Sequence, residues 1–389
     1  EAHLVRFSLC CSREGCRRRT LPPSARFDGR RVYWGCVILV VMALRQNAYN
    51  SCGNRHCPKC RAMAREQWLA ARKAELLPVG YFHNVFTLPH DLNPVLLCNM
   101  KPMLEMLFTA VNETLQAFAA DPRWRLEGRL GFIAVLHTWS RTLMDHFHLH
   151  CLIPGGVLTF DRTAWRPARK KFLFRKDSLA KEFKKRYLRK LEDAYRNNEL
   201  IFPGNTAETG TSEGFNRLVR KLRSSKWVAY AKRPFAGPAQ VLEYLGRYTH
   251  RVAISNNRIR SIDDGKVTFT YRDRKERDAI KEMTLDADEF IRRFLLHVLP
   301  KGFMKIRYFG YLFHRDKKAS IALIRNLIDP DGNYGFTEKE SVQEIMLRLI
   351  GLDITRCPSC GKGQMVHVVE IPKGSSPVNE TRGRYCRSP

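Results

Sequence analysis

Acidic side chains are in short supply: 38 Asp and Glu stand against 68 Lys and Arg in 389 residues, a formal net charge of +30. A chain this basic repels cationic ligands and attracts polyanions, and its excess charge lies inside patterned sequence rather than in a tail. Long apolar runs are missing as well. The longest, residues 37–44, is far below the roughly 20 residues needed to cross a bilayer. No secretory pattern with a cleavage site is present, so an intracellular, cytoplasmic location is the simpler expectation. Isolated cysteines are few. Most of the 12 fall into groups at 10, 11 and 16, at 52, 57 and 60, and at 357 and 360. Such spacing in an intracellular chain favours zinc over disulfides. With 44% hydrophobic residues the chain can bury a core, and its length suits two or three domains.

The most informative stretch is residues 131–156, GFIAVLHTWSRTLMDHFHLHCLIPGG. Across residues 145–154, His146, His148 and His150 alternate with Phe147, Leu149 and Cys151, so a period of two sets three imidazoles on one strand face and apolar groups on the other. Two histidines two apart on a strand reach one ion, and neutral imidazole is a common metal ligand. Residues 132–137 form a second apolar run of strand length, and an antiparallel return makes His137 a candidate third ligand. Histidines that are simply structural remain the alternative.

Residues 241–256 read VLEYLGRYTHRVAISN. Tyr244 and Tyr248, four apart, share a helix face with roughly 6 Å of rise between them. Ordinary packing tyrosines fit the same spacing, and Gly246 costs such a helix about 1 kcal/mol relative to Ala. Arg247, His250, Arg251 and Lys232 are candidate phosphate contacts; surface charge is the alternative. Cys57-Pro58-Lys59-Cys60 is a zinc-knuckle pattern, since two thiolates in a tight turn share one tetrahedral ion. Cys52 and His56 are nearby candidates to complete it, and Cys11 or Cys16 could supply the rest from upstream. Cys357-Pro358-Ser359-Cys360 is a second knuckle, with only His367 and Cys386 following as partners. Basic clusters at residues 166–190 and 217–232 interleave with Phe172, Phe174, Tyr187, Trp227 and Tyr230. Phosphate attraction plus base stacking suits single-stranded nucleic acid, while a buried aromatic stripe is the plainer reading.

Taken in order, these features resemble the HUH endonucleases, in which two histidines flanking a bulky apolar residue hold a divalent ion and a tyrosine attacks DNA. His148-Leu149-His150 is the matching pattern, with His146-Phe147-His148 as a one-step-shifted alternative. More narrowly, the chain resembles bacterial rolling-circle transposases of the two-tyrosine class, the insertion-sequence ninety-one family. The likeness is carried by residues 49–60 (YNSCGNRHCPKC), 76–90 (LLPVGYFHNVFTLPH), 134–156, 227–238 (WVAYAKRPFAGP), 244–256 and 289–307. Residues 1–47 do not share it. The resemblance implies nicking and transfer of single-stranded or hairpin DNA ends through a 5′-phosphotyrosine on Tyr244 or Tyr248. It also implies Mg²⁺ or Mn²⁺ at the histidines, structural Zn²⁺, and a nucleoid-associated bacterial protein. A zinc-dependent nucleic-acid-binding protein, an inactive transposase remnant and a rolling-circle replication initiator are the competing readings.

The expected fold is α+β, a mostly antiparallel HUH-like sheet with flanking helices plus a small zinc module. The expected division is an atypical segment at 1–47, a zinc module and linking helix at 48–76, an endonuclease domain at 77–310 with a basic helical insertion near 165–225, and a tail at 311–389. Strands are predicted at 81–88, 132–137, 145–154, 157–160, 227–232, 251–255, 258–262 and 266–273. Helices are predicted at 66–76, 102–119, 215–224, 239–250 and 286–299 and in the basic segment up to 197, with a loop at 198–214.

Overall fold

A computed structural model of the chain describes residues 6–11, 19–20, 62–168, 173–232, 246, 253–273, 276–332, 340–351, 353–357 and 360–371. The chain divides into two units, residues 67–336 and residues 1–66 with 337–389. Among the described residues no helix is long and apolar enough to cross a membrane.

The unit spanning 67–336 is built on a five-stranded antiparallel sheet. Its strands are β1 (Tyr81–Thr87), β2 (Phe132–Trp139), β3 (Asp145–Pro154), β4 (Val228–Lys232) and β5 (Ile306–Phe309), arranged in the order β5-β2-β3-β1-β4. Alternating aromatic and β-branched residues suit these segments to a pleated surface covered on both sides. The registers are continuous across the centre. His137 lies opposite His148 and Val135 opposite His150, while Val85 and Thr87 of β1 oppose His150 and His148 from the other side.

One sheet face carries Phe82, Phe86, Phe132, Leu136, Phe147, Leu149 and Ile153, which join a single core with helices α1 (Met100–Ala120) and α2 (Lys176–Arg196). Helix α2 buries Leu179, Phe183, Tyr187 and Leu191, one residue per turn. Each large apolar side chain so buried contributes about 1.5–3 kcal/mol. The opposite face is apolar at one end, where Tyr81, Ile133, Val135, Leu152 and Tyr308 cluster with Leu69, Ile321 and Ile324. At the other end of this face stand the histidines.

Several expectations need correction. Phe174, Tyr187 and Trp227 are buried in the main core and are not stacking platforms, Tyr187 because the i, i+4 pattern of α2 points inward; Tyr230 alone of the interleaved aromatics described here is half exposed. Phe172 lies outside the described residues. The basic segment opens with a short strand, Trp165–Pro167, and becomes helical at Lys176. The predicted loop at 198–214 contains a helical turn, Ala207–Gly210, and the start of helix Ser212–Ser224, whose first turn is capped by the Thr211 hydroxyl accepting from Gly214 N at 3.1 Å. Residues 253–255 are not in a strand, and Ala253 takes a left-handed φ of 57°. The hairpin of Ile259–Asp263 and Lys266–Asp273 turns at Asp264 and Gly265, both with positive φ as a two-residue hairpin loop demands. It gains a third strand, Ala279–Asp286, whose mostly exposed residues carry little apolar signal.

In the other unit, strand Arg6–Cys11 pairs antiparallel with Arg19–Thr20 and with Met365–Ile371. The register sets Cys10 opposite Val366 and Cys11 opposite Met365. Helix Val342–Ile350 begins with a capping box between Ser341 and Glu344 and ends at Gly351 in the left-handed region. Buried Glu66 accepts from Arg348 at 3.1 Å.

Candidate metal centre

Sheet register assembles the site. Because directly opposed residues share a face, the pairing of β2 with β3 brings His137 beside His148, and His150 follows two residues on along β3. Ligand nitrogens of His137, His148 and His150 all lie within 4.8 Å of one another, and among the described residues this is the group that could hold an ion. All three are buried. The ring centroids of His137 and His150 are 4.2 Å apart, and those of His148 and His150 are 4.9 Å apart.

Hydrogen bonds set the tautomers. His148 Nδ1 lies 2.8 Å from the His146 carbonyl oxygen. A carbonyl only accepts, so Nδ1 carries the proton and Nε2 keeps its lone pair. Burial, followed by the neighbouring His150 and His148, holds the proton affinity of His137 well below the usual histidine range. A neutral imidazole is the form that ligates a metal.

These residues fit a divalent ion. Imidazole nitrogens bind at about 2.0–2.1 Å, so three of them within 4.8 Å of one another can turn toward one ion, and the donor set is neutral. The group within 4.8 Å does not include His146, the shifted alternative, although its ring lies 4.7 Å from that of His148. His146 instead supplies its carbonyl to His148, and its ring stacks against that of His90 at 5.3 Å.

The sequence reading missed His83. This side chain, only 1% exposed, projects from β1 on the same sheet face, with Nε2 2.7 Å from His150 Nδ1 and the two rings nearly parallel. Its alternation with Tyr81 and Val85 was visible in sequence, but the pairing of β1 with β3 was not. His297 was also unremarked. It is buried, with its ring nitrogens 3.3 Å from Thr138 Oγ1 and 3.0 Å from the Leu143 carbonyl, and burial pushes its pKa down to about 4.

Other candidates are placed less fully. Lys232 pairs through its backbone with His83 at the sheet edge. Tyr244, Tyr248, Arg247, His250, Arg251, Cys16, Cys52, Cys57 and Cys60 lie outside the described residues. Gly246, between the two tyrosines, is helical and buried, and a Cβ there would approach Leu69 Cδ2 to 2.7 Å. At the second knuckle, Gly361 N donates to the Cys357 carbonyl at 2.9 Å, and Gly363 N donates to Cys360 Sγ at 3.4 Å.

Comparison with known proteins bears on what such a site belongs to. Residues 131–320 match the family model described as "Putative transposase", and residues 43–88 match the model "Transposase zinc-binding domain". "Putative transposase y4qJ" of Sinorhizobium fredii is 44% identical over 333 residues, covering 85% of this chain and 83% of that protein. The chain belongs to the IS91 family of transposases. A further relative of this transposase is "Transposase for insertion sequence element IS801" of Pseudomonas savastanoi pv. phaseolicola, 27% identical over 326 residues, with 83% of this chain and 75% of that protein covered. The transposase is thus a DNA-processing enzyme of the IS91 and IS801 type, with a zinc-binding domain and an α+β, HUH-like fold. Its partner is DNA.

Proposed function

We propose that this transposase cuts and transfers single-stranded DNA at element ends through a 5′-phosphotyrosine, with His137, His148 and His150 as the metal ligands and Tyr244 and Tyr248 as the nucleophiles. The observation that carries this reading is the convergence of three buried imidazoles on one point of the sheet face. A divalent ion held there supplies Lewis-acid polarisation of the scissile phosphate. Mg²⁺ or Mn²⁺ follows from the family; the all-imidazole donor set also suits softer ions.

The phenol oxygen attacks phosphorus, the bond to O3′ breaks, and the departing oxygen gains a proton as the phenol gives one up. The product is a phosphotyrosine ester with a free 3′-hydroxyl. Because an ester replaces an ester, the 3′-hydroxyl of a recipient strand can reverse the step without a nucleotide cofactor. Two phenols allow a second strand to be cut while the first is still attached, which is what rolling-circle transposition requires. Arg247, His250, Arg251 and Lys232 would neutralise phosphates beside the scissile bond. Cys52, Cys57 and Cys60, with Cys16, are the zinc ligands we assign to the first knuckle, and Cys357 and Cys360 those of the second.

The test is a labelled single-stranded end sequence incubated with Mn²⁺ and resolved under denaturing conditions. We expect a covalent adduct that disappears in the Tyr244→Phe, Tyr248→Phe double variant and in His148→Ala, His150→Ala. Full adduct formation in either would defeat the assignment.

A further inference from the structure

We propose that His83 is a positioning residue for the metal centre, accepting the Nδ1 proton of His150 and so aiming the lone pair of His150 Nε2 at the ion. The inference rests on the metal reading above.

The geometry is specific. Thr87, Val85 and His83 follow one another along β1 on the histidine face, and Val85 is the residue opposite His150, so His83 meets His150 on the diagonal. The rings lie nearly parallel, 13° apart, with Nε2 to Nδ1 at 2.7 Å, and His83 is sealed from solvent. One proton sits between two neutral imidazoles so joined. If His83 Nε2 carries it, His150 turns an Nε2–H toward the other ligands and opposes a cation. If His150 Nδ1 carries it, His150 Nε2 is left with its lone pair, as the His146 carbonyl leaves His148 Nε2. The second arrangement is the one that makes all three imidazoles donors.

The choice of acceptor has a chemical consequence. A metal-bound histidine commonly leans on a carboxylate or a carbonyl. Here the partner of His150 is a neutral ring, and the group within 4.8 Å contains no carboxylate. Among the described residues the ligand group itself adds no negative charge to a bound ion, while a neutral acceptor still fixes the ring.

The experiment uses the full-length, zinc-loaded protein, titrated with Mn²⁺ and followed by electron paramagnetic resonance. His148→Ala, His150→Ala identifies the signal from this site. His83→Ala should weaken Mn²⁺ binding about 10–100-fold, the usual cost of losing an outer partner. His83→Gln, whose Oε1 can accept the Nδ1 proton, should recover most of it. His83→Phe, which keeps a ring but offers no acceptor, should not. A purely structural role would rank Phe at or above Gln, and that order, or unchanged binding in His83→Ala, would overturn the proposal. ¹⁵N-histidine NMR of the metal-free protein separates the two readings. His150 should be the Nδ1–H tautomer in wild type and lose that preference in His83→Phe. If Mn²⁺ fails to bind wild type while this tautomer pattern holds, the metal reading falls and the positioning role of His83 stands; if the tautomer is unchanged in His83→Phe, the role of His83 falls.

Discussion

At the scale of single residues, histidine chemistry divides by what surrounds each ring. His137, His148 and His150 converge, and replacing any one with Ala should cost more than the about 10–100-fold lost with an outer partner; a Mn²⁺ titration checks it. His297 answers to pH instead. Its folded pKa of about 4 lies below the ordinary 6.5, so the unfolded chain takes up a proton first as pH falls. The stabilising effect of keeping this ring neutral is complete above pH 6.5, is lost between 6.5 and 4, and amounts to at most about 3 kcal/mol. Thermal midpoints of wild type and His297→Gln, followed over that interval, should converge as the pH drops. Parallel curves would contradict the assignment.

Among elements, α2 shows how basic sequence and apolar core coexist. Phe183 is fully buried and meets Phe86 and Trp227 edge to face. Phe183→Ala should destabilise the protein by about 3–5 kcal/mol, whereas exposed Lys185→Ala should stay within about 0.5 kcal/mol; urea unfolding distinguishes them. The tyrosine-bearing segment offers a second case. Gly246→Ala removes a poor helix former, a gain of about 1 kcal/mol, but its methyl would meet Leu69 at 2.7 Å. Overpacking costs about 1–3 kcal/mol, so a net loss is expected. Adding Leu69→Ala should make the Gly246→Ala change less damaging than it is alone, by relieving the contact. The position of Gly246, judged only as a propensity defect in the sequence, is explained by this close approach.

For the molecule as a whole, charge governs partner binding. With a net charge of +30, affinity for single-stranded DNA should fall steeply between 50 and 200 mM salt. A log–log slope of about −4 or steeper corresponds to six or more phosphates engaged on a single strand. A flat dependence, measured by fluorescence anisotropy, would show that the excess charge lies away from the bound strand.

What the chain determined by itself was whatever depends on local period: the strand at Asp145–Pro154 with its imidazoles on one side, the hairpin turn at Asp264 and Gly265, the amphipathic α1, and the ordered motifs that mark the family. Periodicity tells which side a residue faces within its own strand but carries no information on which strand lies alongside. Tertiary structure decided that β1 flanks β3, bringing His83 from a distant part of the chain to His150, and that His137 comes within 4.8 Å of His148 and His150. It also decided that Tyr187 and Trp227 are core, since burial follows from what packs against a helix face. Pairing and packing depend on contacts between segments far apart in sequence, and those contacts exist only once the sheet has formed.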